Sequence, residues 1–193
     1  EGELYAFSIS LAHWADVGGA MPGSYYAAAF DCWQEGLRIP PVRLVSGDEI
    51  DEEKMGLILA NVRGPAERRG DILAQISATT VAGRRLEELR TQYSVAFLKA
   101  AFDAIHDRAE RQMQEAISAV PDGVYEGEDF MDDDGHGGAP VGIRVKVTIA
   151  GETASFDFTG TDDAVPGALN TTPFIAAAGV FYVMKALYGP DIQ

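Results

Sequence analysis

Of three histidines in this 193-residue chain, His13 opens the run His13-Trp14-Ala15-Asp16-Val17-Gly18-Gly19. An imidazole with a carboxylate three positions on is a mixed nitrogen and oxygen donor set suited to zinc, manganese or iron. The two glycines remove side chains where the backbone must turn tightly or approach another group. On a strand over residues 4–12, an offset of three sends His13 and Asp16 to opposite faces. They converge only if the chain leaves strand geometry by Asp16. Two donors do not make a site, and the competing reading is a strand-end histidine bonded to a nearby carboxylate.

Asp132-Asp133-Asp134-Gly135-His136-Gly137-Gly138 is the second cluster that could hold a metal. It fails the EF-hand pattern, because aligning Gly135 to the loop glycine puts Phe130 first and Val141 last, where carboxylates are required. It reads instead as a charged, glycine-rich hairpin loop, or as a mobile loop over a site. Arg38 could clamp a substrate carboxylate bidentately; a salt bridge is the default. Asp157-Phe158-Thr159-Gly160-Thr161 ends a strand, and Asn170 and Thr171 read as caps of the following helix. There is no phosphate loop, dinucleotide loop or nucleophile elbow.

Thirty acidic against 15 basic residues give a net charge of −15. That field repels phosphate backbones and anionic bilayers, so neither nucleic acid nor a membrane is an expected partner. A single Cys32 forms no intrachain disulfide, consistent with a reducing cytoplasm, and its neighbours Phe30 and Trp33 predict a buried structural thiol. No signal peptide is visible. The longest apolar stretch, 174–184, falls short of the ~20 residues that span a bilayer.

The elements that must position these residues are legible in order. Alternation over 4–11 predicts a strand that delivers His13, and Pro22-Gly23-Ser24 predicts a turn within a 17–25 loop. Tyr25, Tyr26, Phe30 and Trp33 read as a wall of the core, or alternatively of a substrate cavity. A short helix over 51–61 carries Met55, Ile58 and Leu59 on one face. Pro65 at a first helical position opens a long helix to about residue 92, in which Gly83 would mark a close packing contact. Ser94 can cap a second helix, with Leu98, Ala101, Ile105, Met113 and Val120 in its stripe, and the two predict an αα-hairpin. Strands over 124–131, 141–149 and 153–159 predict an antiparallel meander, followed by a helix from Pro173 to Gly189. The fold class is α+β.

H-W-A-D-V-G-G, then P-G, then Gln34-Glu35-Gly36-Leu37-Arg38-Ile39-Pro40-Pro41-Val42 resembles the hydantoinase B/oxoprolinase family. So do Asn61-Val62-Arg63, Arg68-x-Gly70-Asp71-Ile72-x-Ala74-Gln75, the D-D-D-G at 132–135 (the family lacks His136), and Asp157–Thr161 followed by Asn170. The B subunits of that family are longer at both ends, so the resemblance implies an interior segment. It would be a partial hydantoinase B-like domain over 1–193, with a strand and metal-loop region at 1–63, a helical hairpin at 64–120, and a meander plus helix at 121–193.

The resemblance further implies part of an ATP-dependent enzyme acting on a carbonyl. Relatives open a cyclic amide (5-oxoproline, N-methylhydantoin) or carboxylate a ketone such as acetone or acetophenone. An A-type partner subunit or domain binds ATP and phosphorylates the substrate oxygen, and the B-type part offers a cavity bearing a divalent metal (Zn, Mn or Fe). His13 is then a metal ligand, Asp16 a second ligand and catalytic carboxylate, and Arg38 a substrate-binding residue. The remaining ligands would come from upstream of Glu1. A cytoplasmic hetero-oligomer is implied as well. The contrasting expectation is a non-catalytic module that docks the ATPase subunit.

Overall fold

The computed structural model describes residues 4–190 and 192. They divide at Val95/Ala96 into two compact units, so the two long helices expected to form a hairpin fall one in each.

In the first unit, residues 4–14 are irregular rather than a strand. The alternation is real, yet Phe7, Ile9 and Leu11 are exposed, and a ladder needs a partner strand that the described residues do not supply. Hydrogen bonds to Gln75 and Leu86 hold the segment: Tyr5 Oη donates to the Leu86 carbonyl at 3.0 Å, Gln75 Nε2 to the Ser10 carbonyl at 3.4 Å, and Trp14 Nε1 to Gln75 Oε1 at 2.9 Å. Asp31 caps the single turn α1 (Cys32–Glu35) by accepting from the Trp33 and Gln34 amides. A tight hairpin comes next, with β1 (Val45–Ser46) paired to β2 (Glu49–Ile50). Asp51 then accepts from the Lys54 amide at 3.0 Å and starts α2 (Glu52–Leu59).

Gly64, left-handed with φ 69°, lets the chain turn into Pro65 at the start of α3 (Pro65–Gln92). The Arg69 fork clamps the Glu52 carboxylate at 2.8 Å for both nitrogens, tying α3 to α2. Met55, Ile58 and Ile72 form the core, with Trp14, Leu37, Leu44, Ile50, Leu59 and Ile76 packed against them. Only the first turns of α3 are buried. Gly83 is exposed with open space around it, not a close contact.

The second unit holds α4 (Val95–Ser118) from Ala96 on; of the expected stripe Leu98 is buried and Ile105 exposed, and the buried Ile117 lies outside that stripe. The meander forms as expected: β3 (Gly123–Met131), β4 (Val141–Ala150) and β5 (Thr153–Asp157), all antiparallel, in register Gly123↔Ile149 and Ala150↔Thr153. Its core is Ile117, Ile149 and Met184, packed by Met113, Val120, Val147, Ala154, Phe156 and Val180. Met184 belongs to α5 (Pro173–Tyr188), which leaves Phe174, Phe181 and Tyr182 exposed.

Candidate functional site

The loop after His13 is organised by the Asp16 carboxylate, which is buried. Oδ1 accepts from the Gly18 amide at 2.8 Å and the Arg63 amide at 3.2 Å. Oδ2 accepts from the Gly23 amide at 2.8 Å and from Arg63 Nη1 at 3.2 Å. Those donors, Gly18 foremost and then Gly23, hold the carboxyl far below the usual carboxylate range. The Arg63 fork continues outward to the carbonyls of Gly18, Gly19 and Met21 at 2.9–3.2 Å. Ser24 Oγ accepts from the Val17 amide and donates to the Gly18 carbonyl, each at 2.8 Å.

Both glycines are required by geometry. At Gly18 (φ 86°) a Cβ would lie 2.4 Å from the Asn61 carbonyl oxygen, and at Gly19 (φ 81°) 2.5 Å from that of Gln34. The latter approach makes room for the Ala20 amide to donate to the Gln34 carbonyl at 2.8 Å, while the Leu37 amide donates to the Val17 carbonyl at 2.7 Å. Three sequence blocks, V-G-G, Q-E-G-L and N-V-R, therefore meet backbone to backbone around one carboxylate.

His13 stands apart from this lattice. It is exposed, its Nε2 lies 3.2 Å from Tyr25 Oη, and the two rings stack with centroids 6.2 Å apart and planes 18° from parallel. His13 and Asp16 thus diverge: one faces out, the other anchors the loop. The imidazole keeps a ring nitrogen for a cation, whereas both Asp16 oxygens are engaged by N–H donors. His13 is a single nitrogen donor here, and among the described residues no group of three or more His, Cys, Asp or Glu side chains gathers.

The other expected residues have different surroundings. Arg38 is exposed and donates from Nη1 to Cys32 Sγ at 3.3 Å, and among the described residues it pairs with no carboxylate. Cys32 is exposed rather than buried, and Tyr25, Phe30 and Trp33 are exposed rather than a core wall, because the loop packs through its backbone. In the acidic loop Asp133 accepts from the Gly135 amide at 2.5 Å, and Asp134 from those of His136 and Gly138 at 2.9 Å. That is a self-capped hairpin turn. Asn170 is not a helix cap: it accepts from the Val165 amide at 2.9 Å and donates to the Val165 and Gly167 carbonyls.

The D-F-T-G-T block closes an edge of the meander. Asp157, held at about 2 by the Thr159 hydroxyl and amide and by Lys146, faces an open cleft of about 490 Å³ with Glu126, Glu128 and Arg144. Thr161 Oγ1 accepts from the Arg144 amide and donates to its carbonyl, both at 3.0 Å, standing in for a strand residue. Arg144, to which sequence reasoning gave no role, binds Glu128 at 2.7 Å, Asp162 at 3.0 Å and the Gly160 carbonyl at 2.7 Å. Both cations of this cleft are paired: Arg144 with Glu128 and Asp162, and Lys146 with Asp157.

The family model described as Hydantoinase B/oxoprolinase matches residues 1–193. The chain belongs to the hydantoinase B/oxoprolinase family. Caprolactamase subunit beta of Pseudomonas jessenii is 37% identical over 154 residues, 80% of this chain and 26% of that subunit. The crystal structure of the ATP-dependent caprolactamase from that organism superposes with a TM-score of 0.81 at 34% identity, covering 90% of this chain and 30% of that one. 5-Oxoprolinase 1 of Arabidopsis thaliana is 28% identical over all of this chain and 17% of its own length. A nucleotide-free acetone carboxylase has the same fold, with a TM-score of 0.81 at 18% identity over 93% of this chain and 25% of its own. The chain therefore spans about a quarter of the caprolactamase subunit it matches. Three of the family blocks, H-W-A-D-V-G-G, the run opening at Gln34 and Asn61-Val62-Arg63, are the segments that the Asp16–Arg63 lattice brings together. No helix among the described residues is long and apolar enough to cross a membrane.

Proposed function

We propose that this hydantoinase B/oxoprolinase chain is the His13-bearing segment of an ATP-dependent hydrolase that opens a cyclic amide C–N bond. The observation that carries the reading is the outward imidazole on a backbone-locked loop, in a chain 37% identical to a caprolactamase subunit and related over its whole length to a 5-oxoprolinase. A lactam, 5-oxoproline or a hydantoin is the substrate class. Such an amide is resonance-stabilised, so its opening needs charge stabilised on the carbonyl oxygen. A divalent metal, when bound, supplies Lewis-acid stabilisation of that oxygen. His13 holds the ion together with donors from outside the described residues, Asp16 and Arg63 fix the loop, and ATP belongs to an A-type partner subunit or domain.

The test is a substrate panel on the intact protein with its partner: ATP with caprolactam, 5-oxoproline or hydantoin, against ATP with acetone and bicarbonate. ATP-dependent ring opening supports the proposal. Bicarbonate incorporation into the ketone without ring opening replaces it by a carboxylase, and neither reaction leaves an assembly module.

A further inference from the structure

β3 is an outer strand of its sheet, which runs β3-β4-β5. It pairs with β4 in an unbroken register from Gly123↔Ile149 to Met131↔Val141, so no bulge bends it. The bonds of β4 fix which groups of β3 look outward. Gly142 and Arg144 give their amides to Asp162 Oδ2 and Thr161 Oγ1, on the side of β5. Ladder residues alternate with residues turned the other way, so Ile143, Val145, Val147 and Ile149 bond to β3 at Asp129, Gly127, Tyr125 and Gly123. Val124, Glu126, Glu128 and Phe130 therefore turn their N–H and C=O groups to the open edge. Asp129 Oδ1 caps the Phe130 amide at 2.9 Å; among the described residues the other three have no backbone partner there. Such an edge is a template for another strand unless Lys, Pro or a bulge blunts it, and β3 contains none of these.

Charge decides the occupant. β4 already sets Lys146 opposite Glu126 and Arg144 opposite Glu128, the latter pair bonded at 2.7 Å. Lys146 turns instead to Asp157 at 3.3 Å, which leaves Glu126 with no ion pair among the described residues. A second copy of β3 fits badly. In antiparallel registers centred on Glu126, Gly127 or Glu128 a glutamate falls opposite a glutamate, which is destabilising, and a net charge of −15 adds to the repulsion. We propose that the outer edge of β3 receives a fourth strand from the partner subunit, an extended segment with Lys or Arg at alternate positions opposite Glu126 and Glu128. Backbone hydrogen bonds to Val124, Glu126 and Glu128 supply affinity, and the two carboxylates supply specificity. That segment presupposes the partner subunit of the proposed function, not its chemistry.

Glu126→Pro removes an outward amide and no β3–β4 bond, a place where an edge strand tolerates proline; Glu126→Lys reverses the charge alone. Titration of the intact protein with its partner subunit is paired with hydrogen exchange, free and in complex. The amides of Val124, Glu126 and Glu128 are expected to exchange fast in the free protein and slowly in the complex. Each variant should bind about tenfold more weakly at the wild-type melting temperature; if the proline variant melts lower, the lysine variant and the exchange rates carry the test. Fast exchange at these amides in the complex, or wild-type affinity in Glu126→Lys, overturns the proposal and leaves the hydrolase reading standing. Protection already present in the free protein also overturns it, assigning the edge to the same polypeptide or, where it grows with protein concentration, to a second copy. Failure of the two subunits to associate overturns the partner of the proposed function, and the fourth strand with it.

Discussion

The Arg63 guanidinium reaches the Asp16 carboxylate from 47 positions away, meeting Oδ2 at 3.2 Å while its own backbone amide holds Oδ1. One residue thus contacts both oxygens of the carboxylate and, through the rest of its fork, three carbonyls of the loop that follows His13. The loop is set by a side-chain fork rather than by a helix or sheet.

Arg63→Lys should loosen that loop, because an ammonium can keep the charge but not the planar fork. The expected result is faster hydrogen exchange at the Gly18 and Gly23 amides and a lower melting temperature. Wild-type exchange rates in the variant would contradict the clamp.

Gly18→Ala should cost roughly 1–3 kcal/mol, from a strained positive φ and a Cβ driven against the Asn61 carbonyl. Chemical denaturation measures this directly. Gly83→Ala runs the other way: the site is helical, exposed and empty around the added methyl, so a gain of about 0.5–1 kcal/mol is expected.

The contrast between those two glycines shows how far the sequence is legible. Helices opened by Pro65 and Pro173, and the alternation of β4, announce themselves locally through a first-turn proline and through period. The segment over 4–11 does not, since period 2 reports an apolar face but not the strand that pairs with it. Spacing suggests Asp16 as a ligand partner of His13, but its donors come from backbone amides and from Arg63, none of which spacing reveals. Tyr25 reads as core for a related reason: aromatic residues signal burial on average, while this loop is held by its backbone.

Asp16 also fixes the sign of a pH effect. Its folded carboxyl is depressed by the Gly18 and Gly23 amides, so its stabilisation is complete above the ordinary value of about 3.9 and is lost as pH falls through the folded value. The unfolding free-energy gap between wild type and Asp16→Asn should stay constant from about pH 5 to 7 and narrow below about pH 4. A gap that widens on acidification would contradict this.

Metal content of the intact protein, wild type against His13→Ala at matched melting temperature, tests the central claim most directly. His13 is exposed, so its loss should leave stability unchanged while bound divalent metal falls to background. A His13→Ala protein that purifies with the wild-type metal complement would contradict the account.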